Sequence, residues 1–293
     1  MILTYSRNIC RFQLSVSNKH QLRCFSNTLI RSNNIESSAN IDSSLLISQW
    51  HSSISACSET SYDTITPTPI HLLNLTLDRP ECEVLPTPST PIHPNYHLAY
   101  FPPRVPERKL GFDGSFTTFV PPHPFCRRMW AGGELLFSKN PLRVGDNVKL
   151  IEKCSNVELK RSSSRKQELV FVWEDRDIYN EKGWSLKDKR GFVYRKEEEG
   201  RANSTKIVKG CLVHGPLTCT LLLDLLRDNL PADNWISEFK YRAVSPLVVN
   251  EPFRVCGKKL ESVSEKGVSV YEMWAETALG GVAMKGSAIV NIN

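Results

Sequence analysis

The sequence predicts an α+β fold in which an antiparallel sheet wraps a central helix, and in which this unit occurs twice. Residues 217–227 are apolar on almost the whole circumference of a helix, and four segments with the alternation of β-strands follow, near 235–244, 253–260, 268–277 and 282–291. A shorter helix is predicted earlier, at 70–77, with further β-like segments after it. The order of a helix followed by strands is therefore repeated.

The helix at 217–227 has to be buried. Five of its residues between 221 and 226 are leucines, and at 100° per residue Thr220, Asp224 and Arg227 share one narrow polar strip. Burying each leucine contributes about 1.5–3 kcal/mol. Four twisted strands can bury these leucines by curling around the helix. A sheet curled around one helix is a hot-dog fold, and two copies make a double hot-dog.

The first unit is predicted to be a degenerate copy. Leu45, Leu46, Trp50 and Ile54 form a weak helical stripe, and residues 80–124 are so rich in proline that regular structure is excluded over most of them. The predicted strands of this unit are 96–101, 128–137, 147–160, 168–179 and 191–195.

The order of these elements predicts four regions. They are a transit peptide at 1–25, a disordered linker at 26–44, the N-terminal degenerate repeat at 45–195, and the C-terminal repeat at 196–293. A double hot-dog can complete its sheet within one chain, so we expect a monomer or a homodimer.

The charge pattern points to a mitochondrial protein. Four positive charges and no acidic residue lie in residues 1–25, so +2 of the formal charge of +6 remains for the rest of the chain. An acid-free, Arg-rich and Ser-rich opening segment is typical of a mitochondrial transit peptide, which predicts the matrix as the location. The small remaining charge argues against a nucleic-acid partner. No apolar run approaches the roughly 20 residues of a membrane span.

The nine cysteines do not suggest a metal site. Their number is odd, no pair has the Cys-x-x-Cys spacing, and no histidine cluster accompanies them. Free thiols are expected, and the sequence predicts neither a metal nor a cofactor.

The turn Val213-His214-Gly215-Pro216 enters the central helix and is the candidate site. Proline suits the first helical turn, and the N–H groups of Gly215 and Leu217 lie at the positive end of the helix. Gly215 lets a ligand approach the backbone, so the turn can hold a thioester carbonyl on which negative charge develops. The alternative is a plain helix start, with His214 facing solvent or capping.

The sequence also resembles the MaoC-like (R)-specific 3-hydroxyacyl-thioester dehydratases, including the mitochondrial hydroxyacyl-thioester dehydratases of type 2 and the mesaconyl-CoA hydratases. The blocks that carry the resemblance lie within residues 45–293. They are Arg127-Arg128-Met129-Trp130-Ala131-Gly132-Gly133, Pro141-Leu142-Arg143-Val144-Gly145-Asp146, Val193-Tyr194-Arg195, Val213-His214-Gly215-Pro216-Leu217 with Leu221-Leu222-Leu223-Asp224-Leu225-Leu226-Arg227, Phe239-Lys240-Tyr241-Arg242-Ala243 with Pro246-Leu247, and Met273-Trp274-Ala275 with Ala283-Met284-Lys285.

The resemblance implies a hydro-lyase that acts on 3-hydroxyacyl groups carried by acyl-carrier protein or CoA in mitochondrial fatty acid synthesis. It also implies Gly215 and His214 as site residues. The family takes its acid and base from an Asp and a His between the Tyr-Arg strand and the His-Gly turn. Here the 18 residues 196–213 contain neither His nor Asp, and their run of three glutamates has the character of a solvated loop.

Three explanations fit this gap, and we rank them in this order. A segment is missing from this chain, the protein is an inactive relative that still binds acyl thioesters, or a residue from elsewhere substitutes. The second repeat is therefore predicted to be truncated, with 205–208 filling its open sheet edge. A thioesterase is a further alternative, although Asp224 lies too deep in the helix to direct a water.

Overall fold

The fold is seen in a computed structural model that describes residues 2–5, 42–111, 114, 116–162, 167–196, 211–260 and 267–292. The α-helices of this part are α1 (Ser43–Ile54), α2 (Pro67–Thr76) and α3 (Gly215–Asp228). Its strands are β1 (Ile2–Tyr5), β2 (Ser58–Thr64), β3 (Arg127–Phe137), β4 (Asn147–Ser162), β5 (Gln167–Asn180), β6 (Gly183–Arg195), β7 (Asn234–Ala243), β8 (Phe253–Lys259), β9 (Val268–Thr277) and β10 (Val282–Ile292). Two short 3-10 helices cover Tyr96–Ala99 and Glu107–Lys109.

All ten strands form one antiparallel sheet in the order β1-β8-β9-β10-β7-β3-β6-β5-β4-β2. The strands β7 to β10 lie on one side with β1 at their outer edge, and β2 to β6 lie on the other side. The halves are joined where β3 pairs with β7, from Gly132 opposite Arg242 to Leu136 opposite Glu238. One continuous sheet therefore serves both repeats.

The C-terminal half is the hot-dog unit that the sequence predicts. The helix α3 is followed by β7 to β10, which curl around it, and Leu222, Leu223 and Leu226 on the helix are fully buried. Their core includes Phe239, Met273 and other residues of the four strands. The α+β double hot-dog is confirmed.

Among the described residues of the N-terminal half, no helix packs across the sheet as α3 does. The short α2 packs with the 3-10 turn Tyr96–Ala99 in one apolar cluster, and α1 covers a second cluster. The helix predicted from this stripe is confirmed and Ile54 is buried, but Leu45 is 58% exposed, and the buried Ile47 is not one of the predicted stripe residues. However, α1 begins at Ser43, so the predicted disordered linker extends two residues too far. Residues 6–41 lie outside the described ranges.

The strand predicted at 96–101 is wrong. Asn95 and Phe101 have left-handed φ values of 72° and 57°, which end any extended run on both sides. The intervening chain turns as a 3-10 helix, so that Tyr96 and Tyr100 both enter the core. The strand β2 was not predicted, because its residues are almost all polar and exposed.

The open edge of the second repeat is covered from an unexpected direction. Residues 2–5 form β1 and pair with β8, from Ile2 opposite Lys258 to Tyr5 opposite Val255. Residues 205–208, which were predicted to fill this edge, lie outside the described part of the chain. The strand β1 also belongs to the segment predicted to be a transit peptide.

None of the helices in the described ranges is both long enough and apolar enough to cross a bilayer. Within the same ranges, no three His, Cys, Asp or Glu side chains gather as a bound metal would require.

Candidate functional site at the start of the central helix

At the start of α3, one backbone N–H has no acceptor among the described residues. The backbone N–H groups of Leu217 and Thr218 both donate to the carbonyl oxygen of His214, at 3.0 and 3.2 Å. Leu217 therefore does not offer its N–H to a ligand, contrary to the prediction. No described residue accepts a hydrogen bond from the N–H of Gly215, which is the first helical residue and precedes Pro216. Gly215 thus remains the donor that the helix can offer.

Gly215 lies against an aromatic wall. A Cβ at this position would lie 3.2 Å from Cδ1 of Trp130 on β3, so even a methyl group would press on the indole. Trp130 meets Phe192 edge to face at 5.1 Å and stacks near Tyr241 at 6.5 Å. A glycine therefore suits the close approach of the helix start to β3.

His214 is the N-cap residue of α3, but its side chain is exposed and makes no capping hydrogen bond. The alternative role of a capping side chain is therefore wrong. Loss of water around the ring and the positive charge of Arg190 both lower the pKa of His214, so the imidazole is held neutral. A neutral imidazole at this place can accept or donate a proton.

The polar strip of α3 faces the N-terminal half. Thr220 accepts a hydrogen bond from Asn95 at 2.8 Å, and Asp224 accepts one from the Tyr96 hydroxyl at 3.3 Å. Asp224 is also paired with Arg227 at 2.7 Å and is 4% exposed. The strip is a polar contact between the two repeats, which orients the helix and hence Gly215.

A row of charged side chains crosses the concave face of the N-terminal half. We call it the charged belt, and its members are Glu152 on β4, Glu174 and Arg176 on β5, and Asp188 and Arg190 on β6. They lie opposite one another in the sheet, with Glu152 facing Arg176, Arg176 facing Asp188, and Glu174 facing Arg190. The belt separates the two apolar clusters of this half.

Asp188 is the centre of the belt. Its oxygen Oδ2 accepts a hydrogen bond from Nε of Arg190 at 2.7 Å and another from Nε2 of His97 at 3.1 Å. Burial alone would raise the pKa of Asp188, but the charge of Arg190 and the hydrogen bond from His97 outweigh it and hold the pKa far below the usual range. Burial lowers the pKa of His97. The pair is therefore a neutral imidazole that donates to a carboxylate.

Glu174 behaves differently from Asp188. Burial, and then the neighbouring charge of Glu152, raise the pKa of Glu174 to about 7. It lies next to Arg190 in the sheet but is not held by it as Asp188 is. At neutral pH this carboxyl is poised between its two protonation states.

The belt could have been found in the sequence. Side chains two residues apart on a strand share a face, and Val170, Val172 and Ile178 of β5 are fully buried. That pattern places Glu174 and Arg176 on the same inward face. Alternation alone predicts the strand, but it does not show which of the polar residues lie on its buried side. His97 is also buried against the belt.

Residues 197–210, between β6 and α3, lie outside the described part of the chain. The three glutamates at 197–199 are among them, so the structure adds nothing to their interpretation as a solvated loop. The chain is described again from Cys211, and Leu212 then forms a bridge to Val248. The structure therefore brings His214 and Gly215 together with Trp130. Among the described residues between β6 and α3, it shows no further acid or base that could transfer a proton.

A sequence pattern described as hydroxyacyl-thioester dehydratase type 2 matches residues 95–209 and 206–249, which together are more than half of the chain. The chain belongs to this family. The match comes in two pieces, and they meet inside the interval 197–210. Both the charged belt and the start of α3 fall within the matched residues.

Similar proteins support the membership. The mesaconyl-C(4)-CoA hydratase of Chloroflexus aurantiacus is 26% identical over 220 residues, covering 59% of this chain and 77% of that protein. A MaoC-like dehydratase from Phytophthora capsici has a similar structure, with a TM-score of 0.52, 12% identity, and coverage of 82% of this chain and 96% of that one. HtdX of Mycobacterium tuberculosis gives a TM-score of 0.50 at 13% identity, covering 79% of this chain and 99% of that one. These two structures share the hot-dog fold.

Proposed function

We propose that this chain binds acyl thioesters at the start of α3, and that it is a (3R)-3-hydroxyacyl-thioester dehydratase, or trans-2-enoyl-thioester hydratase, of mitochondrial type II fatty acid synthesis. The observation that carries the proposal is the N–H of Gly215, which finds no acceptor in the described part of the chain and lies at the positive end of a buried 14-residue helix. Membership of the dehydratase family and the likeness to a CoA-thioester hydratase support the reaction class.

The chemistry follows from that amide. Removing the C2 proton of a thioester places negative charge on the carbonyl oxygen, and a fixed N–H at a helix start stabilises that charge without having to reorganise. Trp130 gives the site an apolar wall, which strengthens the interaction by excluding water. Gly215 is therefore assigned to the oxyanion half of the reaction.

The proton-transfer half is less complete. His214 adjoins the amide, and its neutral form can take up a proton. The first explanation remains that residues are missing from 197–210, the interval in which the two pieces of the family match meet. An inactive protein that binds acyl thioesters is the second candidate function. A substitute acid or base from elsewhere in the chain is the third explanation.

A thioesterase fits the structure less well. Asp224, the acid on the helix, is buried and already engaged by Arg227 and Tyr96, so it is not available to direct a water. The same contacts place it among the residues that join the two repeats.

One assay separates these functions. The purified full chain is given crotonyl-CoA and 3-hydroxydecanoyl thioesters of CoA and of acyl-carrier protein. Hydration of the first or dehydration of the second supports the dehydratase, whereas release of free thiol supports a thioesterase. Binding without turnover indicates the inactive binder. If no thioester binds, the thioester proposal is wrong.

Two further experiments address what the assay leaves open. Sequencing the transcript across codons 195–209 tests the missing segment, and an uninterrupted message for these residues refutes it. The proposed matrix location rests on residues 1–25 alone, and a fusion of residues 1–40 to a fluorescent protein tests it. A fusion that stays in the cytosol refutes import.

A further inference from the structure

The ion pair between Arg190 and Asp188 has a direction. The two residues are neighbours on the same face of β6, and they lie opposite Gly133 and Leu135 of β3 respectively. Trp130 is at the other side of Gly133 on β3, so Arg190 is nearer to it than Asp188 is by two residues, or about 6.6 Å along a strand. The positive end of the pair thus points toward the start of α3.

Contacts agree with this direction. The guanidinium carbon of Arg190 lies 6.0 Å from the centre of the Trp130 ring, and the same ring touches the position where Gly215 would carry a Cβ. Tyr241, which stacks beside Trp130, is also within the field of Arg190. The cation is therefore separated from Gly215 by one aromatic side chain.

The negative end is fixed on the opposite side. His97 donates to Oδ2 of Asp188, the atom that also accepts from Nε and Nη2 of Arg190, at 2.7 and 2.6 Å. His97 and Asp188 are each 2% exposed. The carboxylate is held from both sides, so the pair keeps an orientation in which the charge of Asp188 acts on Cys219 of α3 and the charge of Arg190 acts on His214 at the helix start.

We propose that Arg190 is a positioning residue of the thioester site, and that its ion pair with Asp188 adds positive charge at the start of α3. This inference rests on the proposed function, because it assigns the added charge to the stabilisation of the thioester oxygen. The dipole of the pair and the dipole of the helix have the same sign at Gly215, so they act together on an anionic oxygen.

His214 reports this charge independently of any substrate. Among the charged groups of the described residues, Arg190 is the one whose field lowers the pKa of His214. The pKa is measured by NMR titration of the full chain with labelled histidine, and the His214 signals are assigned by their loss in His214→Gln. Arg190→Met is expected to raise the pKa of His214 toward the ordinary histidine value.

Two variants separate charge from general damage. Arg176→Met removes a belt cation of similar burial, with its side chain 11% exposed against 17% for Arg190, and is expected to leave the pKa of His214 unchanged. Asp188→Asn keeps the cation and removes its counter-charge, so the pKa of His214 is expected to stay lowered or to fall further. Arg190→Lys is expected to restore part of the lowering that Arg190→Met removes.

The same variants are tested with crotonyl-pantetheine, an uncharged thioester that excludes simple attraction to phosphate. Arg190→Met is expected to bind it about tenfold more weakly, which corresponds to about 1.4 kcal/mol, and Arg176→Met to bind it as the unaltered chain does. The inference is overturned if the pKa of His214 does not change in Arg190→Met. It is also overturned if Asp188→Asn raises the pKa of His214 as much as Arg190→Met does. If the unaltered chain binds no thioester, the proposed function fails, and the titration still decides the direction of the ion pair.

Discussion

The side-chain amide of Asn95 lies 2.8 Å from the hydroxyl of Thr220 and 3.3 Å from the carbonyl oxygen of Pro216. A single buried residue of the N-terminal half thus holds the first turn of α3. Asn95 also has a left-handed φ of 72°, which asparagine tolerates better than most residues. Backbone shape and side-chain bonding are both needed at this position.

Replacing Asn95 should therefore separate two effects. Asn95→Gly keeps the left-handed backbone but removes the hydrogen bonds, and it should lower the free energy of unfolding by about 1–3 kcal/mol. Asn95→Ala adds backbone strain and should cost about 1 kcal/mol more. Urea denaturation measures both. Equal stability of the two variants would show that the left-handed conformation is not strained.

The Asp224 cluster should be the stronger contact between the repeats. Asp224→Ala leaves Arg227 and the Tyr96 hydroxyl without their buried acceptor, and should lower the free energy of unfolding by about 3 kcal/mol. The matched control is Asp228→Ala, one turn further on, where the side chain is 37% exposed and pairs with Arg79. That variant should cost about 1 kcal/mol or less. Similar losses in both would contradict the assignment.

Adding one methyl group at Gly215 should weaken thioester binding. Gly215→Ala places its Cβ 3.2 Å from Cδ1 of Trp130, so the indole has to move and the approach to the amide narrows. We expect about a tenfold loss of crotonyl-pantetheine affinity, measured by calorimetry, with a stability change below about 1 kcal/mol. Gly281→Ala is the control, since its Cβ meets Thr277 at 3.1 Å in a distant turn. An unchanged affinity in Gly215→Ala would remove Gly215 from the site.

The buried His97 should make stability depend on pH. Burial lowers its pKa, so the folded protein keeps it neutral, while the unfolded chain binds a proton below about pH 6.5. Stability from this residue is complete above pH 6.5 and is lost as the pH falls toward the folded pKa, by up to about 1.4 kcal/mol per unit. Urea denaturation at pH 7.5, 6.5 and 5.5 should show a shallower decline for His97→Asn. An unaltered slope in His97→Asn would contradict this account.

Removing residues 1–25 should expose the edge of β8. Without β1, the backbone groups of β8 that face Ile2–Tyr5 lose their partners, and an unpaired edge recruits other strands. We expect the shortened chain to self-associate with rising concentration in sedimentation velocity, while the full chain does so less. Identical sedimentation of both chains would show that β1 does not protect this edge.

The C-terminal repeat was predictable because each of its signals has one interpretation. A helix with leucines on nearly every side has to be wrapped, and β9 was predicted with the bounds at which it is observed, Val268–Thr277. The helix itself was predicted two residues short at its start, because Gly215 and Pro216 were assigned to the turn. In the structure they already have helical geometry.

The N-terminal repeat was harder for physical reasons. Tyr96 and Tyr100 suggest a strand by composition, yet the left-handed Asn95 turns the chain. No local sequence pattern predicts the left-handed conformation of Asn95. The eight residues of β6 before Gly191 were missed because their buried side includes Asp188. A charged residue is predicted to be exposed unless the partner that neutralises it is known. For Asp188 that partner is Arg190.

The pairing of β3 with β7 has a consequence for how this protein can vary. The indole of Trp130 packs against the core of the C-terminal half and against one cluster of the N-terminal half, and the sheet runs through the same place without a break. If either half unfolds, the other half loses the strand that pairs with it and the contacts of the Trp130 ring. The two repeats therefore form one cooperative unit. A destabilising substitution in either half lowers the free energy of unfolding of both halves together.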